Sequence, residues 1–426
     1  MTDRADQLRA RLERYAAQFT QEAQAEPSRL IGPDSVGAAE VRSQHGRFWH
    51  RRDGYDVKEP WGESLIEEVC ARITGRGLRI PFAQPAVRIA LRDCLFVDCE
   101  TTGLSGGAGT VAFLIAVGQF DGECFWVDQY FLPDLGDEAS VLHRLSRRFA
   151  SAAALVTYNG GAFDLPLLEG RFRFWRLEPS FRDLPHLDLL WPTRALFRHR
   201  LESCSLGQVE EQLLKFARVE DLPGAEIPQV YFQYLHEGHS PRLHAVFEHN
   251  RLDVVSLFVY SLWMDERTQP ERPTLADPDD LFALAHFWLN RRMVTLALCA
   301  LDVASNRVLD PAQRARLCEL RARVFKRQQS YGDAHVQWQQ VAASMPGRPD
   351  VAEEIAKHLE HRQRDYHAAL AVVERALRAL DFRDSVGDTV EAYVRERLHH
   401  RRARLLRRLA SSERGRTPSH SGVTSA

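Results

Sequence analysis

The sequence predicts an α/β domain built on a mixed sheet, followed by an almost wholly α-helical region. Two observations carry that prediction. From about Arg88, short runs rich in Val, Phe and Ile are divided by tight turns and then alternate with helical stretches. From Leu281 onward the apolar spacing is helical throughout and weakly repeats itself. With 44% hydrophobic and 27% charged residues, the chain has the composition of a soluble globular protein. Its length is enough for about two to four domains.

Residues 1–87 read as a helical and irregular extension: a charged amphipathic leading helix, a stretch punctuated by Gly, Pro and Ser, and a second helix around Glu63–Ile73. Within it, His45, Phe48, Trp49 and His50 in SQHGRFWHRR read as an edge of the core in preference to a metal or substrate contact. Residues 88–267 form the α/β domain. CLFVDCETT, TVAFLIAVGQF and CFWVDQYFL, divided by GLSGGAG and DGE, read as three strands whose short connections make neighbours antiparallel. Then come a helix from near Glu138, a buried strand ALVTYNG, a helix from near Ala162, a strand HLDLLW, a helix SLGQVEEQLL, and a long helix from about Arg242 to Glu266.

Residues 268–280, where Pro270, Pro273 and Pro278 stand among charges, read as a linker. Residues 281–410 read as helices of tetratricopeptide-like (TPR-like) kind. QSYGDAHVQWQQVA aligns with RDYHAALAVVERAL, placing Tyr331 with Tyr366 and Ala334 with Ala369 at an offset of 35 residues. That is near the roughly 34-residue period of tetratricopeptide pairs, and Ala297 holds the same place in a fainter copy. A generic helical bundle is the alternative. YVRERLHHRRARLLRRLA is a basic amphipathic helix, read either as a phosphate-binding tether or as a solvated face. Residues 411–426 read as a disordered tail.

The 56 basic residues nearly cancel the 58 acidic ones, leaving a net charge of -2 and excluding a simple, strongly basic nucleic-acid binder. Lysine occurs only at positions 58, 215, 326 and 357, and arginine supplies the rest, as codon bias in a GC-rich genome would produce. Arginine binds phosphate in a fork, so the bias leaves nucleic acid open as a partner. Seven scattered cysteines without a C-x-x-C pair argue against a disulfide framework or a zinc site. No secretory signal is expected at the N-terminus, and the apolar run from Thr110 to Phe120 is too short for a membrane helix. The expectation is a cytoplasmic protein with no membrane partner.

The chemical signal begins at LFVDCETTGLSGG. Asp98 and Glu100 stand two apart in an otherwise apolar strand, so both project from one face. Two carboxylates side by side in such an element are costly unless cations neutralise them. A lone D-x-E is explained more simply by a strand ending in solvent. Three further acids or bases change that balance. Asp164 in YNGGAFDLPLL follows a strand and opens a helix, with Asn159 five residues earlier; alone it would read as a helix cap. His249 and Asp253 in EHNRLDVVSLFVYSL lie four apart on one helix face, where a salt-bridged pair is the structural alternative. Four carboxylates suit hard divalent cations, Mg²⁺ or Mn²⁺, and can hold two of them roughly 3.5–4 Å apart for an in-line phosphoryl displacement. Histidine titrates near neutrality and can accept the proton of an attacking water. No Walker lysine follows the glycines of GLSGGAGT, and their spacing does not match a dinucleotide loop.

FVDCETTGLS, YNGGAFDLPLL and HNRLD together resemble the three exonuclease motifs of the DnaQ-like, or DEDD, superfamily, and DCETTGLSGGAGTVAFLIAVG resembles its YprB-type branch. The resemblance covers roughly residues 90–265. It implies an RNase H-like fold with a mixed five-stranded sheet whose second strand is antiparallel, and metal-dependent phosphodiester hydrolysis from the 3′ end. It also implies that Asp98, Glu100, Asp164 and Asp253 hold two Mg²⁺ or Mn²⁺ ions and that His249 is the general base. Thr101 and Leu104 of the TTGL turn, with Asn159, would face the substrate. In the histidine subclass the base lies five residues before the last Asp, whereas here the gap is four. Asp188 in HLDLLW reads as a surface acid at a strand end in preference to an acid that supports the site. The leading expectation is a 3′→5′ exonuclease acting on DNA or RNA. A structure-selective endonuclease is the alternative within the enzyme class. A non-catalytic scaffold binding nucleic acid, or a protein partner through the helical repeats, is the alternative outside it.

Overall fold

The protein was analysed as a computed structural model that describes residues 32–58, 73, 75, 77–80, 87–103, 109–307, 309–385 and 392–414. The chain divides into two compact units, Met1–Arg267 and Thr268–Ala426. The sequence-predicted leading helix and most of the helix around Glu63–Ile73 lie outside the described residues, as does Leu104.

In the first unit, the strands are β1 (Ala39–Ser43), β2 (Gly46–Asp56), β3 (Leu78–Ile80), β4 (Val87–Ile89), β5 (Cys94–Thr101), β6 (Ala112–Phe120), β7 (Cys124–Phe131), β8 (Ala154–Thr157) and β9 (His186–Asp188). A seven-stranded sheet runs β1-β2-β7-β6-β5-β8-β9, and β3 and β4 pair separately. β5, β6 and β7 are antiparallel neighbours, while β8 and β9 run parallel to β5.

The expected mixed five-stranded sheet is present as β7-β6-β5-β8-β9, with β6 antiparallel. One result differs from the sequence reading: residues assigned to a helical or irregular extension form the β1–β2 hairpin, which pairs antiparallel with β7 from Trp49↔Phe131 to Asp56↔Cys124 and brings the sheet to seven strands. The hairpin alternates charges with apolar groups, and a strand near a sheet edge can carry that pattern with little of it buried. Phe48, at 3% exposure, is the residue that joins the core.

The helices of this unit are α1 (Glu138–Ala150), α2 (Asp164–Phe174), α3 (Leu190–Phe197), α4 (Leu206–Val209, continued by a π-turn over Glu210–Leu214), α5 (Ile227–Glu237) and α6 (Leu243–Arg267). α6 packs along β5, β6 and β7. Gly118 on β6 permits this approach: a Cβ there would meet the Phe125 ring and lie 2.6 Å from Val254 Cγ1.

The second unit contains α7 (Pro278–Asn290), α8 (Val294–Ser305), α9 (Pro311–Arg327), α10 (Tyr331–Ser344), α11 (Pro349–His358, with a π-turn to Gln363), α12 (Tyr366–Ser385) and α13 (Ala392–Arg414). α7 begins inside the expected linker, and α13 extends past the expected start of the tail. Ala297, Ala334 and Ala369, aligned in the sequence, are all buried. The turns before α8, α10 and α12 share one backbone solution: Arg292, Gln329 and Arg364 take left-handed φ of 60°, 62° and 56°. The next amides of Met293 and Ser330 reach back five residues to the carbonyls of Trp288 and Phe325, as in a Schellman-type helix end, while Asp365 reaches six, to Leu359, across the π-turn.

The basic helix α13 has its arginines engaged within this unit. Arg401 and Arg404 pair with Glu360, Arg397 and Arg401 with Glu353, Arg395 with Asp381 and Asp384, and Arg402 with Glu374. Leu398 and Leu405 are buried against α11 and α12. Arg397, Arg402, Arg407 and Arg408 remain exposed, as in an amphipathic helix with one solvated face. Among the described residues, no helix is long and apolar enough to cross a membrane.

Candidate active site

β5 supplies the first two acids where its apolar run ends. Cys94 to Val97 are buried, and Asp98 and Glu100 follow on one face, half-buried. Asp98 stands opposite Ala116 of β6, and Ala116 opposite Gln129 of β7, so the three side chains line one row across the sheet. The small Ala116 leaves room above it, and Asn250 of α6 fills that place. Gln129 Nε2 donates to Asn250 Oδ1 at 3.1 Å and to the Phe247 carbonyl at 2.8 Å, and Asn250 Nδ2 donates to Asp98 Oδ2 at 2.8 Å. Both amides are fully buried, so the chain Gln129–Asn250–Asp98 fixes the carboxylate in place. After Glu100 the register with β6 slips, and this bulge turns the chain. Thr101 Oγ1 donates to the Gly103 carbonyl at 3.0 Å, a contact within its own turn.

Asp164 reaches the same end of the sheet through a turn that follows β8. Asn159 takes a left-handed φ of 64°, and a Cβ on Gly160 would lie 2.5 Å from Thr157 Oγ1. The turn is held by Asp188: its Oδ1 accepts from Asn159 N at 2.7 Å and Leu190 N at 3.1 Å, and its Oδ2 from Gly161 N at 3.1 Å. Asp188 is therefore a buried structural acid, which corrects the surface reading. Asp164 opens α2 and accepts a hydrogen bond from the Cys99 thiol.

α6 contributes His249 and Asp253. One ligand atom from each of Glu100, His249 and Asp253 falls within a cluster whose members are all within 4.8 Å of one another. His249 Nδ1 lies 2.7 Å from Asp221 Oδ1, which leaves Nε2 directed toward Asp253, 3.7 Å from its Oδ2. A gap of four residues thus keeps the imidazole on the site face.

Arg218 was not anticipated. Its guanidinium forks onto the buried Glu210 carboxylate, Nε to Oε2 at 2.8 Å and Nη2 to Oε1 at 2.6 Å, and also bonds to Asp253 and, at 3.3 Å, to Asp221. A bidentate pair of this kind sets both position and orientation. In a chain this rich in arginine, nothing marks Arg218 out; Asn250 and Gln129 carried a signal, being polar positions on buried faces.

Burial raises the carboxyls of Asp98 and Glu100 well above the usual carboxylate range, with Asp253 the next contributor to both. Burial, helped by Asp188 and Asp253, lifts Asp164 to about 7. The Asn250 bond acts the other way on Asp98, and Arg218 acts the other way on Glu100. Burial works against the Arg218 charge, yet Asp253 and Glu210 outweigh it and hold the guanidinium more basic than usual. The cluster is thus crowded with negative charge that a single guanidinium does not balance. A set dominated by carboxylate oxygens, with the His249 nitrogen beside them, fits a hard divalent cation, whose charge would restore the ionised form of each acid.

The RNase_H superfamily model RNase_H_2 matches residues 95–264. The uncharacterized protein YprB of Bacillus subtilis (strain 168) is 31% identical over 319 residues, spanning 74% of this chain and 75% of YprB. The chain belongs to the YprB family of the RNase H superfamily. In this YprB-family chain the superfamily match begins at Leu95 and ends at Met264, and so contains β5 from its second residue, the Asp164 turn and the acid-bearing part of α6.

Proposed function

We propose that this protein is a divalent-metal-dependent nuclease that hydrolyses phosphodiester bonds of DNA or RNA as a 3′→5′ exonuclease. The observation that supports it is the convergence of Glu100, His249 and Asp253 in one cluster, with Asp98 and Asp164 close enough at the same end of the sheet to act on these acids electrostatically. In this reading Asp98, Glu100, Asp164 and Asp253 would hold two Mg²⁺ or Mn²⁺ ions, and the chemistry so supplied would be neutralisation of developing charge at the reacting oxygens. Asn250 orients Asp98 and favours its ionised form against the effect of burial. Asp221 takes the Nδ1 side of His249, so Nε2 is the atom that accepts the proton of the attacking water. Arg218 steadies Asp253 and supplies one fixed positive charge beside the site. Thr101, Leu104 and Asn159 are assigned to the substrate side, and the helical hairpins of the second unit to a protein partner.

The test is cleavage of single- and double-stranded DNA and RNA, labelled at either end, with Mg²⁺ or Mn²⁺, by the protein and by Asp98→Ala. A stepwise ladder from the 3′ end that the variant lacks is the expected result. Discrete internal cuts would replace the exonuclease by an endonuclease, and the absence of cleavage under every condition would refute the enzyme.

A further inference from the structure

Helix α3 follows β9 at the acid-bearing end of the sheet. It buries Leu190, Pro192, Thr193, Leu196 and Phe197. Trp191, Arg194, Ala195 and Arg198 are exposed, and their spacing of three, four and seven places them on one stripe of the helix. Trp191 is 65% exposed, an unusual state for the largest apolar side chain. Among the described residues, neither Arg194 nor Arg198 has a carboxylate partner. Most arginines on α13, in contrast, are matched to acids.

Position links the stripe to the site. Leu190 N, in the first turn of α3, donates to Asp188 Oδ1, the same carboxylate that holds the Asn159–Gly161 turn. Phe163, the residue before Asp164 on that turn, is 54% exposed. Two bare aromatic rings and two unneutralised cations therefore stand on elements anchored by a single acid.

We propose that the Trp191–Arg194–Arg198 stripe is a binding track for single-stranded nucleic acid, with Trp191 stacking on a base and the arginines meeting phosphates. The proposal rests on the nuclease reading and extends it to the form of the substrate. Aromatic faces interleaved with cations suit a strand whose bases are unstacked; a duplex keeps its base faces internal and offers only phosphates. From residue 191 to residue 198 the helix rises about 10 Å, so the track engages nucleotides beyond the one being cleaved and is empty when the substrate is very short.

The experiment uses the full chain in EDTA, where no cleavage occurs, with fluorescent 15-nucleotide dT and rU strands and a 15-base-pair duplex read by anisotropy. Trp191→Ala is expected to weaken binding of the single strands about 5- to 150-fold. Arg194→Glu with Arg198→Glu is expected to flatten the salt dependence by about 1.4 in log–log slope, since each phosphate contact on a single strand contributes about 0.7. With Mn²⁺ present, Trp191→Ala should slow cleavage of the 15-mer and leave a trinucleotide unaffected. Wild-type affinity and slope in both variants would overturn the track, whatever the cleavage assay shows. Equal weakening toward duplex would overturn its single-strand character. Variants that changed self-association while leaving oligonucleotide binding intact would reassign the stripe to a protein contact. Failure of the nuclease reading would show separately, as wild-type protein that cuts neither the 15-mer nor the trinucleotide.

Discussion

Replacing Asn250 by leucine, a side chain of similar volume, removes the donor that holds Asp98 and leaves the sheet otherwise unchanged. The lost bond is 2.8 Å long, fully buried on the Asn250 side, and made to a carboxylate. Hydrogen bonds to charged groups contribute about 1.5–3 kcal/mol. One pH unit corresponds to about 1.4 kcal/mol, so the Asp98 carboxyl, already raised by burial, should rise further by about 1–2 units. The bond favours the ionised form, so its loss lets protons compete with the cation up to higher pH. The acidic limb of kcat/KM against pH, followed with Mn²⁺ and a labelled oligonucleotide, is expected to move up by that amount. Mn²⁺ affinity at pH 6.5, read by electron paramagnetic resonance, should fall about 10- to 100-fold. Toward Asp98, Gln129 acts through Asn250, so adding Gln129→Leu to Asn250→Leu should move the acidic limb and Mn²⁺ affinity little further. An unmoved acidic limb with unchanged Mn²⁺ affinity would refute the reasoning, as would full additivity in the double variant.

Other outcomes follow from the same site and its supports. Asp98, Glu100 and Asp164 have carboxyls raised by burial, Asp164 from 3.8 to about 7, so without metal the native state binds more protons than the unfolded one. That stability is complete below the unfolded value and is lost as pH rises through the folded one. In EDTA, Tm should be higher at pH 5 than at pH 8, and Mn²⁺ should lessen or reverse the trend; a metal-free Tm that climbs toward pH 8 would contradict it. Gly118→Ala forces a Cβ into Phe125 and Val254, at a cost of about 1–3 kcal/mol in urea unfolding, and should depress cleavage by displacing α6. Glu360→Gln removes the nearer of two acids from Arg401, 9% exposed at its side chain, and leaves Glu353 at 3.5 Å; a loss of about 1.5–3 kcal/mol in the helical unit is expected, with no change in the salt dependence of nucleic-acid binding.

The acids were legible because each interrupts an apolar pattern: Asp98 and Glu100 end a strand, Asp164 opens a helix, and Asp253 faces inward on α6. Interactions without a local signature stayed hidden. Asp188 earns its place by accepting three backbone amides, two of them about 30 residues away in sequence, and nothing in HLDLLW distinguishes that from a solvated acid. The partners of the α13 arginines include Glu353 and Glu360, more than 40 residues upstream, so an isolated reading of the helix sees only its charge. β1 and β2 escaped for a related reason, since backbone pairing of β1 with β2 and of β2 with β7 holds them and few of their side chains are buried.

The shared hairpin turns at Arg292, Gln329 and Arg364 bear on how the helical unit comes apart. Each hairpin closes on itself by its own turn, and the main packing along the row is between helices adjacent in sequence. Such an array behaves as a chain of coupled elements, its stability a sum of hairpin and interface terms. Denaturation should therefore begin at an end of the row and advance hairpin by hairpin, with a shallower dependence on urea than the unit's size would give for a single all-or-none step. The ion-paired α13 then acts as a cap, and the free energy of its contacts sets the threshold for the first step.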